Sequence, residues 1–377
     1  MKTKKLWVVA ALVLFSVGCK SKPKDENEIR IGEFGSMTGT EATFGISTHH
    51  GIELVIDEVN AKGGVNGKKL KLISLDDQGK SEEAQLAVQR MITQDKVHVI
   101  LGEVASSRSL AAAPVAQRYK IPMISPSSTN PKVTEVGDYI FRVCFTDPFQ
   151  GKIIAKFSAE DLKAKTAALL IDTKSDYSVG LAEFFKKTFG ELGGKVIIEQ
   201  NYVGGDIDFK GQLTAIKSKK PDIIVVPGYY TEAGLILKQA RELGLNMPVL
   251  GGDGWDSPKL FEIAGKSANG SYISNHYSSE DKDPRVQAFV SSFKARFKEI
   301  PDGLAVMGYD AALVLVDALK RAKSLSGPDL KDAIAQTKNF PAVTGLITID
   351  KDRNAAKPAV MLKIEDNNWK FATRVNP

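Results

Sequence analysis

From Glu28 onward, short apolar runs of strand length alternate with longer segments whose apolar residues recur at helical spacing. Ile29 to Phe34 predicts a first strand that ends in the polar stretch GSMTGTEATFG. A helix follows from about Ile46 to Ala61 and stops at Gly63-Gly64. Lys69 to Leu75 alternates as a strand and ends in Asp76-Asp77, while Ser81 to Asp95 opens on a Ser cap with acids in its first turn and predicts a helix. Val97 to Leu101 is apolar except for His98, the pattern of a strand buried on both faces of a parallel sheet. Ser106 to Tyr119 is the next helix, and Ile121 to Ile124 and Tyr139 to Phe145 are further strands.

A second series repeats this rhythm. Its strands are Thr166 to Ile171, Lys195 to Glu199, Asp222 to Val226, Pro248 to Leu250 and Ser271 to His276. Its helices are Gly180 to Leu192, Phe209 to Lys219, Thr231 to Leu243 and Ser257 to Ala264. Pro284 to Lys298, Gly303 to Lys323 and Pro328 to Lys338 then read as helical, and Gly345 to Pro377 as short strands turning at Asp366-Asn367-Asn368. The pattern predicts an α/β fold: two Rossmann-like lobes, parallel sheets flanked by helices, joined by a three-strand hinge. Residues 28–145 plus 276–354 form the first lobe and 146–275 plus 355–377 the second. The crossings fall near Cys144 to Asp147, Asn275 to Ser278 and Asp352 to Lys357. Bending at three crossings closes a cleft between lobes.

The 377 residues, 43% of them hydrophobic, suffice for two cores. Residues 1–18 read as a signal peptide: Lys2, Lys4 and Lys5, an apolar run from Leu6 to Val17, then Gly18 and Cys19. That run is too short to cross a bilayer core of about 30 Å. A small residue before Cys resembles the lipobox of bacterial lipoproteins, with Ser16 where Leu is usual; lipidation of Cys19 and cleavage to a soluble form both remain open. Residues 19–27 form a charged, lipid-anchored tether. The formal charge of +6 includes the three signal lysines, so it falls to +3 without them. No Lys/Arg cluster with interleaved aromatics appears, and nucleic acid is not an expected partner. Once Cys19 is acylated, Cys144, the second of two cysteines, has no disulfide partner; in its apolar run it reads as a buried small hydrophobe.

Two strand ends carry the candidate chemistry. Ser106 and Ser107 sit where a helix would start, with free backbone N–H groups and a positive dipole end. Ser125, Ser127, Ser128 and Thr129 follow the neighbouring strand. Ligands in open α/β sheets bind outside the carboxyl ends of strands. From local sequence these hydroxyls fit a small polar ligand or ordinary caps and turns.

The segments RIGEFGSMTGTEATFG, DEVNAKGGVNGKKLKLISLDDQ and PMISPSSTNP, with the signal and the two βα series, resemble bacterial branched-chain amino-acid binding proteins. These are class I periplasmic binding proteins that feed ABC transporters. The resemblance implies that Ser106 binds a ligand carboxylate and that Ser127 and Thr129 contact ammonium and carboxylate. It also implies that Asp253, in GGDGW, pairs with the ammonium where leucine-type binders carry Glu. Phe44, Tyr177 and Tyr229 match its aromatic contacts, although a one-residue slip would exchange Tyr229 for Tyr230, and Asp253 also fits a turn cap. Ala305 stands near a position that is often bulky in the family, which suggests a larger or differently shaped pocket.

The implied function is extracytoplasmic capture of an amino acid with an aliphatic side chain by a monomer that hands it to a membrane permease. The alternative is a sensory receptor for an amide, aromatic acid or other small carboxylate. No GxSxG, HExxH, CxxC or GxxxxGK[ST] is present, and the histidines show no metal-ligand spacing. Hydroxyls without a base suit binding rather than catalysis, and no cofactor or metal is expected.

Overall fold

The computed structural model describes residues 27–375; the signal segment, Cys19 and the tether up to residue 26 lie outside them. The first sheet has the order β2-β1-β3-β4-β5 and is parallel throughout. It comprises β1 (Glu28–Gly35), β2 (Lys69–Asp76), β3 (Val99–Leu101), β4 (Met123–Ser125) and β5 (Ile140–Arg142). The helices that connect it are α1 (Ala42–Ala61), α2 (Ser81–Arg90), α3 (Ser106–Tyr119) and the single turn α4 (Lys132–Glu135). After α5 (Asp147–Lys156) come β6 (Thr166–Asp172), α6 (Asp176–Glu191), β7 (Lys195–Tyr202), α7 (Lys210–Lys219), β8 (Ile223–Val225), α8 (Tyr230–Glu242), β9 (Val249–Gly251), α9 (Pro258–Ala264) and β10 (Tyr272–Asn275). Then α10 (Pro284–Phe297), α11 (Gly303–Arg321) and α12 (Gly327–Ala335) return to the first lobe, where β11 (Phe340–Ala342), β12 (Gly345–Ile349) and β13 (Ala355–Ala356) form a small sheet. Finally β14 (Ala359–Glu365) and β15 (Asn368–Val375) complete the second sheet, order β15-β14-β10-β9-β8-β6-β7. Its last two strands are antiparallel additions to a parallel core.

The chain therefore passes between the sheets three times, after β5, after β10 and after β13. Cys144, His276 and Lys357, one on each passage, are all buried. Cys144 packs as a hydrophobe whose thiol burial pushes up to about 12.

Helix packing sets the geometry of the cleft. α1 lies across α11 with glycine at the crossing: a Cβ at Gly51 would collide with the Ala305 carbonyl, and one at Gly308 with the Thr48 carbonyl. The two backbones approach only because neither position carries a side chain. Ala305 is thus committed to the helix crossing, while Leu304, one residue earlier, faces the cleft.

Two helix starts lie upstream of the sequence expectation. α1 begins at Ala42 rather than near Ile46, anchored by Phe44, which is fully buried, and by the Gly45 N–H donating to the Ser36 carbonyl at 3.0 Å. α6 begins at Asp176 because the Ser175 hydroxyl caps it, accepting from the Ser178 N–H at 3.2 Å. Tyr177 accordingly stands on the first turn of a helix and not in a loop.

Candidate functional site

The carboxyl ends of both sheets face one cavity, which the closed lobes reduce to about 10 Å³. Phe44, Ser106, Ser127, Tyr177, Tyr229 and Asp253 line it together with Val104, Gly254 and Leu304. Each wall residue is held by its own local device.

Ser106 is the first residue of α3, so its backbone N–H belongs to the unpaired first turn, and its hydroxyl accepts from the Asn130 N–H at 3.2 Å. The neighbouring hydroxyls divide into two roles. Ser125 and Ser128 both donate to the Glu103 carbonyl, at 2.7 and 2.8 Å, and Ser128 also reaches the Ser109 hydroxyl at 2.7 Å. They pin the two strand ends together. Ser127 is left to face the cleft. The loop that carries it is gathered by Arg142, fully buried, whose guanidinium donates to the Ser128 and Asn130 carbonyls. Thr129 is buried at 0% exposure but is not a cavity wall; its backbone carbonyl accepts from the Asp147 N–H at 2.9 Å at the start of α5.

Across the cleft, Asp253 begins a short turn after β9 that Trp255 staples down: the indole N–H donates to the Val226 carbonyl at 3.1 Å. The carboxylate receives four contacts. Tyr177 and Gln150 donate to Oδ1 at 2.9 and 2.7 Å; Ser127 and the His276 Nε2 reach Oδ2 at 3.2 and 3.0 Å. Burial pushes the Asp253 carboxyl up, but the hydrogen bonds from His276, Gln150 and Tyr177 outweigh it and hold the carboxyl below its ordinary range. Burial also pulls the His276 imidazole down to about 4, so the ring is neutral and donates from Nε2. A negative charge is thus kept ionised in a closed, mostly apolar space, a natural partner for a small cation.

The remaining walls are aromatic and aliphatic. Tyr177 and Tyr229 stack at 5.4 Å with an interplanar angle of 5°, and Phe44 meets Tyr229 and Tyr230 edge-on, each at 5.2 Å. It is Tyr229 that lines the cavity, while Tyr230 turns its hydroxyl to the Thr43 N–H at 3.3 Å, bridging the lobes. At the rim, Ser107 donates to the Asp176 carboxylate at 2.8 Å and Asn130 to the Asp176 carbonyl at 2.8 Å. The lobes are closed on one another.

A cavity between two βα lobes, with a helix-start serine on one wall and a buried carboxylate on the other, is matched by known proteins. The profile of the periplasmic binding protein family matches residues 28–368. The chain belongs to that family. Among periplasmic binding proteins of known structure, the leucine-binding protein LivK of Thermotoga maritima is 39% identical, with a TM-score of 0.89, covering 93% of this chain and 99% of its own. The branched-chain amino-acid binding protein LivJ of Streptococcus pneumoniae, solved with isoleucine, is 35% identical at a TM-score of 0.89, covering 93% and 100%. The leucine-, isoleucine-, valine-, threonine- and alanine-binding protein of Pseudomonas aeruginosa is 31% identical over 325 residues, 86% of each chain.

Two residues of this periplasmic binding protein that touch the site escape a reading of the sequence. Gln150 lies on α5 and His276 in a crossing segment; their contacts with Asp253 span 103 and 23 positions. Sequence spacing carries no signal for such pairs. Among the described residues, no helix is long and apolar enough to cross a membrane.

Proposed function

We propose that the protein is the extracytoplasmic solute-binding component of an ABC importer and captures an aliphatic amino acid in the interlobe cavity. The observation that carries this reading is the ionised Asp253 carboxylate held opposite the Ser106 helix start, with Phe44, Tyr229, Val104 and Leu304 between them. A zwitterion needs such a pair of opposite poles, and a short aliphatic side chain fits the apolar wall. Ser106 and Ser127 serve the carboxylate and ammonium, and Thr129 supports that loop from behind. Closure is driven by a ligand that touches both lobes, since one touching a single lobe binds open and closed forms equally.

The site is suited to binding, not to nucleophilic catalysis. Ser127 and Asp253 both approach the same His276 nitrogen, at 3.2 and 3.0 Å, so the imidazole has no free path for relaying a proton between them. The protein acts as a monomer in the cell envelope, tethered through a lipid on Cys19, and delivers its ligand to a permease. Palmitate labelling that disappears in Cys19→Ser tests the anchor.

A thermal-shift screen of protein stripped by unfolding and refolding tests the ligand class, because a ligand that binds only the folded state raises Tm. Leucine, isoleucine and valine should raise it. A shift with benzoate or an amide, and none with any L-amino acid, would move the protein to the receptor reading.

A further inference from the structure

Of the nine residues that line the cavity, eight are buried and Tyr229 alone is partly exposed. Its other side lines a second space, an open groove of about 390 Å³ that also borders Glu41, Arg108, Asp172, Lys174 and Ser175. Tyr229 is the residue common to the two spaces.

The ring is fixed from three directions. Tyr177 stacks on one face at 5.4 Å, Phe44 meets it edge-on at 5.2 Å, and Gly254 forms the floor, where a Cβ would lie 2.8 Å from the Tyr229 ring. Such packing leaves a single orientation for the ring. On the cavity side the surroundings are apolar and aromatic apart from Ser106, Ser127 and Asp253; on the groove side they are polar. Arg108 there is engaged by Glu41 at 2.6 Å and by the buried Glu103 at 3.2 Å, so its charge is already met. Asp172 accepts from the Lys174 backbone N–H at 2.9 Å.

We infer that Tyr229 is a specificity-determining panel that limits ligand length: it ends the cavity and shuts off a polar subsite that would take the end group of a longer amino-acid side chain. This rests on the proposed amino-acid ligand. The partition excludes long side chains sterically, and a polar terminus that cannot reach the groove is left unpaired, which adds to the discrimination.

The test is calorimetric titration of the wild-type protein, Tyr229→Ala and Tyr229→Phe with L-leucine, L-arginine and the uncharged arginine analogue L-citrulline. Wild type and Tyr229→Phe should bind leucine and reject both long ligands, since the ring and not the hydroxyl forms the panel. Tyr229→Ala should bind arginine or citrulline at least tenfold more tightly than wild type and leucine more weakly. An unchanged order of ligands in Tyr229→Ala, or the same gain in Tyr229→Phe, would overturn the panel. Failure of wild type to bind leucine would instead contradict the proposed ligand class, and the gain in Tyr229→Ala would still read the panel. Far-UV circular dichroism of each variant confirms folding.

Discussion

Ser127 on the first lobe donates to Asp253 on the second at 3.2 Å, directly across the cleft. This bond occupies the space between the helix-start side and the acid side, so an incoming ammonium takes over a position on Asp253 that Ser127 holds in the closed protein. The ligand replaces an existing polar contact and does not have to create the charged environment, because Gln150, Tyr177 and His276 keep Asp253 ionised independently.

Truncating the acid should therefore be severe. Asp253→Ala leaves a ligand ammonium buried without its counter-charge, and removing one partner of such a pair costs about 3–5 kcal/mol. Affinity for an aliphatic amino acid should fall by more than a hundredfold in calorimetry, while unchanged affinity would remove Asp253 from the site.

Replacing Ser106 should be milder. The hydroxyl contributes about 1 kcal/mol as a single hydrogen bond, and the backbone N–H groups of the α3 first turn remain in Ser106→Ala. A loss as large as that of Asp253→Ala would mean that the helix start contributes little.

Much of this arrangement was legible in the chain because periodic burial leaves a strong trace. The alternating apolar runs gave both sheets, and the Ser/Thr-rich ends of β3 and β4 pointed to the cleft. Which hydroxyl does what was not legible. Ser125, Ser127 and Ser128 are equivalent as letters, and only the fold shows that two of them pin the Glu103 carbonyl while one faces Asp253. Tyr177 read as a loop residue because the Ser175 cap lies inside a polar run. Gln150 and His276 were missed because their meeting with Asp253 is created by the fold, and although the start of α11 at Gly303 was legible, the close approach of Gly51 to the Ala305 carbonyl was not.

The neutral state of His276 has a pH signature. Its imidazole titrates at about 4 when folded, against 6.5 for an unperturbed group, so between those values the unfolded chain binds a proton that the folded one refuses. Stability is therefore lost as pH falls from about 6.5 to about 4 and levels off below, by about 1.4 kcal/mol for each unit crossed. Denaturant curves of the wild type should weaken over that window relative to His276→Gln; parallel behaviour of the two proteins would exclude a buried neutral imidazole.

The rim contacts between Ser107 and Asp176 add to the stability of the closed form. Ser107→Ala removes two hydrogen bonds to Asp176, from the hydroxyl to the carboxylate and from the Asp176 N–H back to the hydroxyl, and the pair is only part-buried. The expected effect is about 1 kcal/mol of lost closure, read as a larger radius of gyration of the unliganded protein in X-ray scattering and a modestly weaker Kd. Identical scattering profiles would show that the rim does not govern the equilibrium.

Gly51→Ala tests the helix crossing that places Leu304. The new Cβ collides with the Ala305 carbonyl, and overpacking of this kind costs about 1–3 kcal/mol. A lowered Tm together with weaker ligand binding is expected, and a Tm at or above the wild-type value would show that α1 and α11 can separate without cost.

The most direct test of the central claim is calorimetric titration of the stripped protein with L-isoleucine, in parallel with Asp253→Ala. One ligand per chain should bind with a Kd of about 1 μM or below, equivalent to about −8 kcal/mol or more favourable, and this binding should be lost in the variant. Saturable binding of benzoate, with no heat from isoleucine, leucine or valine, would contradict it.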